Sequence, residues 1–296
     1  PGAAARMGLT AELLQKDNPQ LILCDISGYG NNGSYRDKKA YDLLIQSEAG
    51  FLSVTGTPES PSKAGNSIAD IAAGMYAYTN ILAALLQRGK TGKGSVIDVS
   101  MLEALGEWMS FPMYYAFEGA EPPPRNGASH ATIYPYGPFK AGDGGTVMLG
   151  LQNEREWAKF CEVVLENSAL AQDARFDQNF KRNEKREELL AIIDQCFSKL
   201  TTEQVIAKLE KAQIANARLN DMKGLWNHQQ LKERERWVNV DTPAGSIPAL
   251  LPPGLNNAYD YRMDPIPSVG EHTDAILQEL GLTDTDIANM RTSGAI

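Results

Sequence analysis

The sequence predicts an α/β protein of two domains. Three features predict it. An apolar run, Leu21 to Ile26, leads into a glycine-rich loop, Ser27 to Gly33. A long stretch of small and apolar residues, Ile68 to Gln87, is followed by a turn and a second strand-like run. A proline-rich segment, Glu118 to Arg125, then divides this part from one of different texture. A strand ending in a glycine-rich loop is where α/β proteins gather ligands, beyond the carboxyl ends of their strands.

Size and charge limit the possible functions. A chain of 296 residues can bury a sizeable core. Its net charge of −9 disfavours duplex nucleic acid, which needs clustered Lys and Arg. No apolar run approaches the roughly 20 residues of a membrane helix; Ile81 to Leu86 is the most apolar stretch. Pro1 to Gln15 lacks the charged and apolar regions of a secretory signal. Cys24, Cys161 and Cys196 are odd in number and form no CxxC, so they read as ordinary thiols of a cytoplasmic protein. His130, His228 and His272 lie far apart, without the spacing of a metal site on one element, so no metal is predicted.

Taken in order, Thr10 caps a short helix to Lys16, which Asn18-Pro19 ends. The strand Leu21 to Ile26 and its loop follow. The loop has neither GxGxxG spacing nor a following GK[ST], so it is not a dinucleotide or P-loop signature. Lys38 to Ala49 is a helix stopped by Gly50, and Phe51 to Thr55 a candidate strand. Gly56 to Gly65 is a loop. Ile68 to Gln87 is one long helix with Gly89 as its cap. Ser95 to Val99 is a strand, and Met101 to Phe117 another helix. Beyond the linker, glycine and proline clusters bracket short strands, with Thr146 to Leu149 among them. Helices are predicted at 154–166, 184–200 and 202–212. Lys232 to Arg236 is a solvated charge run. Val238 to Leu250 is β-like, and Thr273 to Leu280 is the final helix.

One carboxylate stands out. Gly65-Asn66-Ser67-Ile68-Ala69-Asp70 places Asp70 where a loop becomes the long helix. An ionised Asp is stabilised there by the helix dipole and free N–H groups. Ala69, Ala72, Ala73 and Gly74 leave room for another group to approach. Such a carboxylate can attack an acyl group, although the local pattern alone fits a purely structural helix-start Asp better.

The ordered series SGYG…KAYDLLIQSEAG, LSVTGTPESPSKAGNSIADIAAGMYA, ILAALLQRGKTGKGSVIDVSMLEA, RNGASHATIYPYGPFKAGDG and VGEHTDAILQELGL resembles the class III (carnitine dehydratase/bile-acid-inducible) CoA-transferases along the whole chain. The resemblance implies that Asp70 forms covalent acyl intermediates while CoA passes between an acyl-CoA thioester and a small, including dicarboxylic, acid. It implies that Arg6, in Pro1-Gly2-Ala3-Ala4-Ala5-Arg6-Met7-Gly8, contacts CoA phosphate or adenosine, as a guanidinium suits phosphate. It also implies that Lys39, Ala40, Tyr41 and Asp42 line the CoA channel. CoA is then substrate, and no permanently bound cofactor is expected. Backbone N–H groups at the start of the Asp70 helix, or in the Gly28 to Gly33 loop, are candidates to hold oxyanions.

The departures are informative. Racemases of the same fold have His where this chain has Tyr41. Tyr, with an unperturbed pKa of about 10, is a poor base near neutral pH. A racemase or isomerase is therefore the disfavoured alternative, and a non-catalytic acyl-CoA-binding subunit another. Glu154 sits near a glutamate used by the racemases, and it also suits the start of a helix. No glycine run follows Arg125; His130, Tyr134 and Tyr136 occupy that region. His130 and Tyr136 become candidates to recognise the acceptor acid, with Arg125 to meet a second carboxylate. The implied organisation is a Rossmann-like large domain, residues 1–117 and 262–296, without its opening βα units. A smaller α/β domain spans 126–235, and 118–125 and 236–261 connect the two. The resemblance also implies an interlocked homodimer.

Overall fold

The computed structural model describes all 296 residues. They form two compact units, residues 1–219 and 220–296. In the first unit, strands β1 (Leu23–Ser27) and β2 (Val96–Ser100) pair in parallel, from Leu23 opposite Val96 to Ser27 opposite Ser100. A parallel pair needs a long crossover, and helices supply it. These are Asp42–Glu48, the single turn Phe51–Val54 and the 24-residue Ile68–Thr91. The long helix buries Ala69, Ala72, Ala73, Ala77 and Ala84. Ala72, Ala73 and Ala77 pack with Val99 and Ala104, and with the half-buried Cys24 and Ile97. Methyl side chains let its axis lie close to the strands. By length and composition this helix could also cross a bilayer, so the expectation that no segment reaches that size is corrected. Here it serves as the crossover between two strands.

Local chemistry moved several boundaries. Gly92, not Gly89, ends the long helix: it takes φ 69° and its N–H donates to the Arg88 carbonyl. Phe51 to Val54 coils instead of extending. Gly50, at φ 78°, turns the chain back, and Phe51 packs against the cluster of Ile45, Ala69 and Leu105. The helix expected over 101–117 is two, Met101–Trp108 and Ser110–Tyr115. Pro112 has no N–H for the Trp108 carbonyl and its ring would crowd that turn, so the helix breaks just before it.

Residues 134–219 hold an antiparallel sheet in the order β3 (Tyr136–Lys140), β4 (Thr146–Gly150), β5 (Ala215–Arg218). Trp157, Phe160, Phe176, Leu189, Ile193, Phe197 and Leu209 are buried beside Phe139, Val147 and Leu149 as one core. The helix from Glu154 continues past Lys159 as a wider π turn, Phe160–Val164. Strand β5 escaped the sequence reading because Ala-Asn-Ala-Arg shows no apolar alternation; pairing to β4 makes it a strand.

The second unit contains a hairpin, β6 (Trp237–Thr242) and β7 (Gly245–Leu250), and short helices. Trp226 stacks on Trp237 with ring centres 4.6 Å apart. Thr273–Glu279 is not the last helix: Asp284–Thr292 follows, started by a reciprocal Thr283–Asp286 capping box.

Candidate active site

Asp70 lies in the first turn of the long helix, and its residue is exposed. Ser67 precedes the helix without capping it. The cap comes from another helix: Asp42 Oδ2 accepts from the N–H of Ala69 at 2.7 Å and of Asp70 at 3.2 Å. Asp42 Oδ1 accepts from Gln46 Nε2, and Gln46 Oε1 accepts from the Ala64 N–H at 2.9 Å. Ile68 N–H goes to Asn66 O, and Ile71 N–H to Ser67 O. The amides of Ile68, Ala69, Asp70 and Ile71 are thus all engaged within the protein. In the glycine loop, Gly30 N–H donates to Ser27 Oγ and Asn31 N–H to Asp98 Oδ2, so these two are engaged as well.

The Lys39 to Asp42 segment does meet the glycine loop. A Cβ on Gly28 would come within 2.2 Å of Ala40 Cβ, so only glycine permits this contact. Tyr41 precedes the Asp42 helix and is 73% exposed. Lys39 is exposed beside it. Lys38, in contrast, pairs with Glu48 and lies 4.2 Å from the Tyr35 ring centre. The Glu48 carboxylate raises the Lys38 pKa. Both carboxylate oxygens of Asp42 accept hydrogen bonds inside the protein.

Arg6 ends the short helix Ala3–Arg6 and is exposed. Residues of that helix wall an open cleft of about 440 Å³, shared with Asp25, Ile26 and Ser27 at the end of β1. Arg36 also lines it, a guanidinium the sequence reading passed over. Its only signal was a lone Arg closing the glycine-rich stretch.

His130 and Tyr136 are brought together, their rings stacked at 5.2 Å and 13°. His130 Nδ1 accepts from the N–H groups of Thr132 and Ile133, which assigns the ring proton to Nε2. Arg125 is turned elsewhere. Its Nε donates to Thr57 O at 2.9 Å and its Nη2 to Pro58 O at 3.0 Å. Gly127 N–H reaches Gly56 O at 2.7 Å. Arg125 therefore ties the linker to the loop that leads into the Asp70 helix. Glu154 opens the helix Glu154–Lys159, the position that also suits a helix-start glutamate. It forms a two-pronged pair with the buried Arg182, Nη1 to Oε2 at 2.6 Å and Nη2 to Oε1 at 3.1 Å. Arg182 also donates to the carbonyls of Tyr134 and Phe176.

Burial pushes the Cys161 thiol up to about 12, against the opposing field of Arg182. Its thiolate is therefore nearly absent near neutral pH, and alkylation of native protein at pH 8 is expected to spare it until the chain unfolds. The folded state holds this proton more tightly than the unfolded one. The stability this contributes is intact below pH 9 and lost as pH rises from about 9 to about 12. Peptide mapping after iodoacetamide treatment, native against urea-unfolded, checks the labelling.

The fold is thus an α/β unit with an exposed carboxylate at the start of its small-residue crossover helix and, separately, an open cleft at the end of β1 that Arg36 lines. The sequence profile of CoA-transferase family III matches residues 1–273, and the chain belongs to that family. It is 33% identical to an acyl-CoA transferase of Fusarium pseudograminearum (strain CS3096), covering 100% of this chain and 66% of that protein. It is 31% identical to a succinate–glutarate CoA-transferase of Agrobacterium fabrum (strain C58), covering 93% and 69%. The crystal structure of a CAIB/BAIF family protein from Brucella suis superposes with a TM-score of 0.81 at 31% identity, covering 94% of this chain and 73% of that one. The chain thus spans 64% to 69% of the length of the first curated relatives it matches.

Proposed function

We propose that this chain forms the larger part of an enzyme that moves CoA from an acyl-CoA thioester to a small carboxylic acid, with Asp70 as the nucleophile. The observation that carries the reading is Asp70 itself: its backbone N–H is held by Asp42 while its residue stays exposed. A carboxylate oxygen of Asp70 attacks the thioester carbonyl, the C–S bond breaks, and CoA leaves as thiolate. The product is a mixed aspartyl–acyl anhydride. The thiolate then attacks the aspartyl carbonyl, the anhydride C–O bond breaks, and the donor acid departs, leaving aspartyl-CoA thioester. The acceptor carboxylate repeats both steps in reverse, returning Asp70 as carboxylate. No step moves a proton, so Tyr41, where the racemases have His, is no obstacle. Water must be kept out, because both intermediates hydrolyse.

The names of relatives, succinate–glutarate and acetyl-CoA:oxalate CoA-transferase, favour dicarboxylic substrates. The reading assigns CoA to Arg6, Arg36, Lys39, Ala40 and Tyr41, and the acceptor to the His130–Tyr136 face. It carries with it residues 262–296 as part of the large domain, a homodimer as the family resemblance implies, and a cytoplasmic location, for which the free thiols Cys24, Cys161 and Cys196 are the support. Mass spectrometry after incubation with succinyl-CoA, with and without hydroxylamine, tests it. A hydroxylamine-sensitive adduct on the peptide holding Asp70 is expected. No adduct with succinyl-, acetyl- or glutaryl-CoA would sink the reading.

A further inference from the structure

We propose that Asp42 is a positioning residue for Asp70, and that buried Gln46 dictates which way the Asp42 carboxylate faces. The role rests on the transferase reading above.

The hydrogen bonds leave one consistent arrangement. Gln46 is 1% exposed, so water cannot replace its partners. Its Oε1 must face the Ala64 N–H, which leaves Nε2 to face Asp42. Asp42 therefore meets donors only: Gln46 Nε2 on Oδ1, and the N–H groups of Ala69 and Asp70 on Oδ2. An ionised carboxylate satisfies all three, and such charge-assisted bonds are about twice as strong as neutral ones. The start of the Asp70 helix is thus located by a side chain 28 positions earlier, not by its own Ser67. One of those bonds ends on Asp70 itself. A shift of Asp42 moves the nucleophile's own main chain.

This network permits a test that separates placement from charge and from CoA binding. In Asp42→Asn the new amide must aim its NH2 either at Gln46 Nε2 or at the Ala69 and Asp70 N–H groups. Either way donor faces donor, unless Gln46 flips and sets its own NH2 against the Ala64 N–H. In Asp42→Asn/Gln46→Glu the pattern closes again. The new carboxylate accepts from both Ala64 N–H and the new amide, whose oxygen takes the two helix amides. One negative charge is kept, moved by one side chain.

The rate of Asp70 adduct formation from saturating succinyl-CoA, and the KM for succinyl-CoA, are measured for the unaltered chain and these variants. Asp42→Asn is expected to slow the adduct by roughly 10²-fold, the scale of an ångström-sized misplacement, at unchanged KM. Gln46→Glu alone, which sets carboxylate against carboxylate, is also slow. The double variant recovers most of the rate. An Asp42→Asn variant that raises KM at full rate makes Asp42 a CoA contact and overturns the proposal. So does an unchanged rate, or a folded double variant as slow as the single one. If Asp42→Asn fails to fold, the double variant decides alone, by the same recovery or its absence. Absence of adduct on the unaltered chain sinks the transferase reading, and this role with it; an adduct insensitive to Asp42 sinks only the role.

Discussion

Asp70→Asn is expected to abolish the covalent adduct and to lower CoA-transfer turnover by roughly 10⁴-fold or more, the scale seen when a covalent nucleophile is removed. The substitution is close to isosteric, and the Asp70 residue is exposed, so unfolding stability should be unchanged. The anchoring bond survives, because Asp42 holds the backbone N–H and not the side chain. Steady-state transfer from succinyl-CoA to glutarate, paired with urea unfolding of the same preparations, checks both halves. Transfer within tenfold of the unaltered chain would remove Asp70 from the chemistry.

The largest expected loss of stability lies in the smaller half of the first unit. Arg182 has a side chain only 2% exposed, while its partner Glu154 is 53% exposed. Arg182 joins Glu154, the Tyr134 carbonyl and the Phe176 carbonyl, and its guanidinium lies 4.9 Å from the Trp157 ring. Arg182→Ala removes the donors of two carbonyls and opens a void beside Trp157. Two buried carbonyls left without a donor, at about 1–3 kcal/mol each, together with the void put the cost at about 3–5 kcal/mol. Arg182→Lys should recover little, because an ammonium cannot make the planar fork. Glu154→Gln leaves the buried guanidinium without its counter-charge and so destabilises too, but by less, because no void opens and the Tyr134 and Phe176 carbonyls keep their donor. Urea unfolding of the three variants gives the order directly. A cost under about 1 kcal/mol for Arg182→Ala would mean that the surrounding core closes over the site.

Much of the fold was legible because it depends on short-range pattern. The strand before the glycine loop, the long small-residue helix and the second strand each follow from residues close in sequence. What escaped depends on distant partners. Strand β5 has no strand composition and is defined by β4. Phe51 to Val54 looks strand-like, but Gly50 and the Ile45 cluster coil it. The site divides in the same way. The helix-start position of Asp70 was legible, although only the family resemblance pointed to its chemistry, whereas the contacts of Asp42, Arg125 and Glu154 are made across 28, 68 and 28 positions. The resemblance suggested a role for Asp42 and Glu154, and residue type one for Arg125; only geometry shows which protein groups they already engage.

The segment from Gly56 to Asn66 leads to Asp70 through a succession of staples. Gly56 bridges Pro61, Arg125 grips Thr57 and Pro58, Gly127 holds Gly56, and Gln46 holds Ala64. Surface loops ordinarily absorb insertions. Here one added residue brings about 3.5 Å of extra chain, more than the reach of any of these bonds. It must break a staple or push Asp70 along its helix axis. The loop therefore works as a ruler: its residue count sets the distance from the linker to Asp70, and changes in its length are expected to be less tolerable than changes in its exposed side chains.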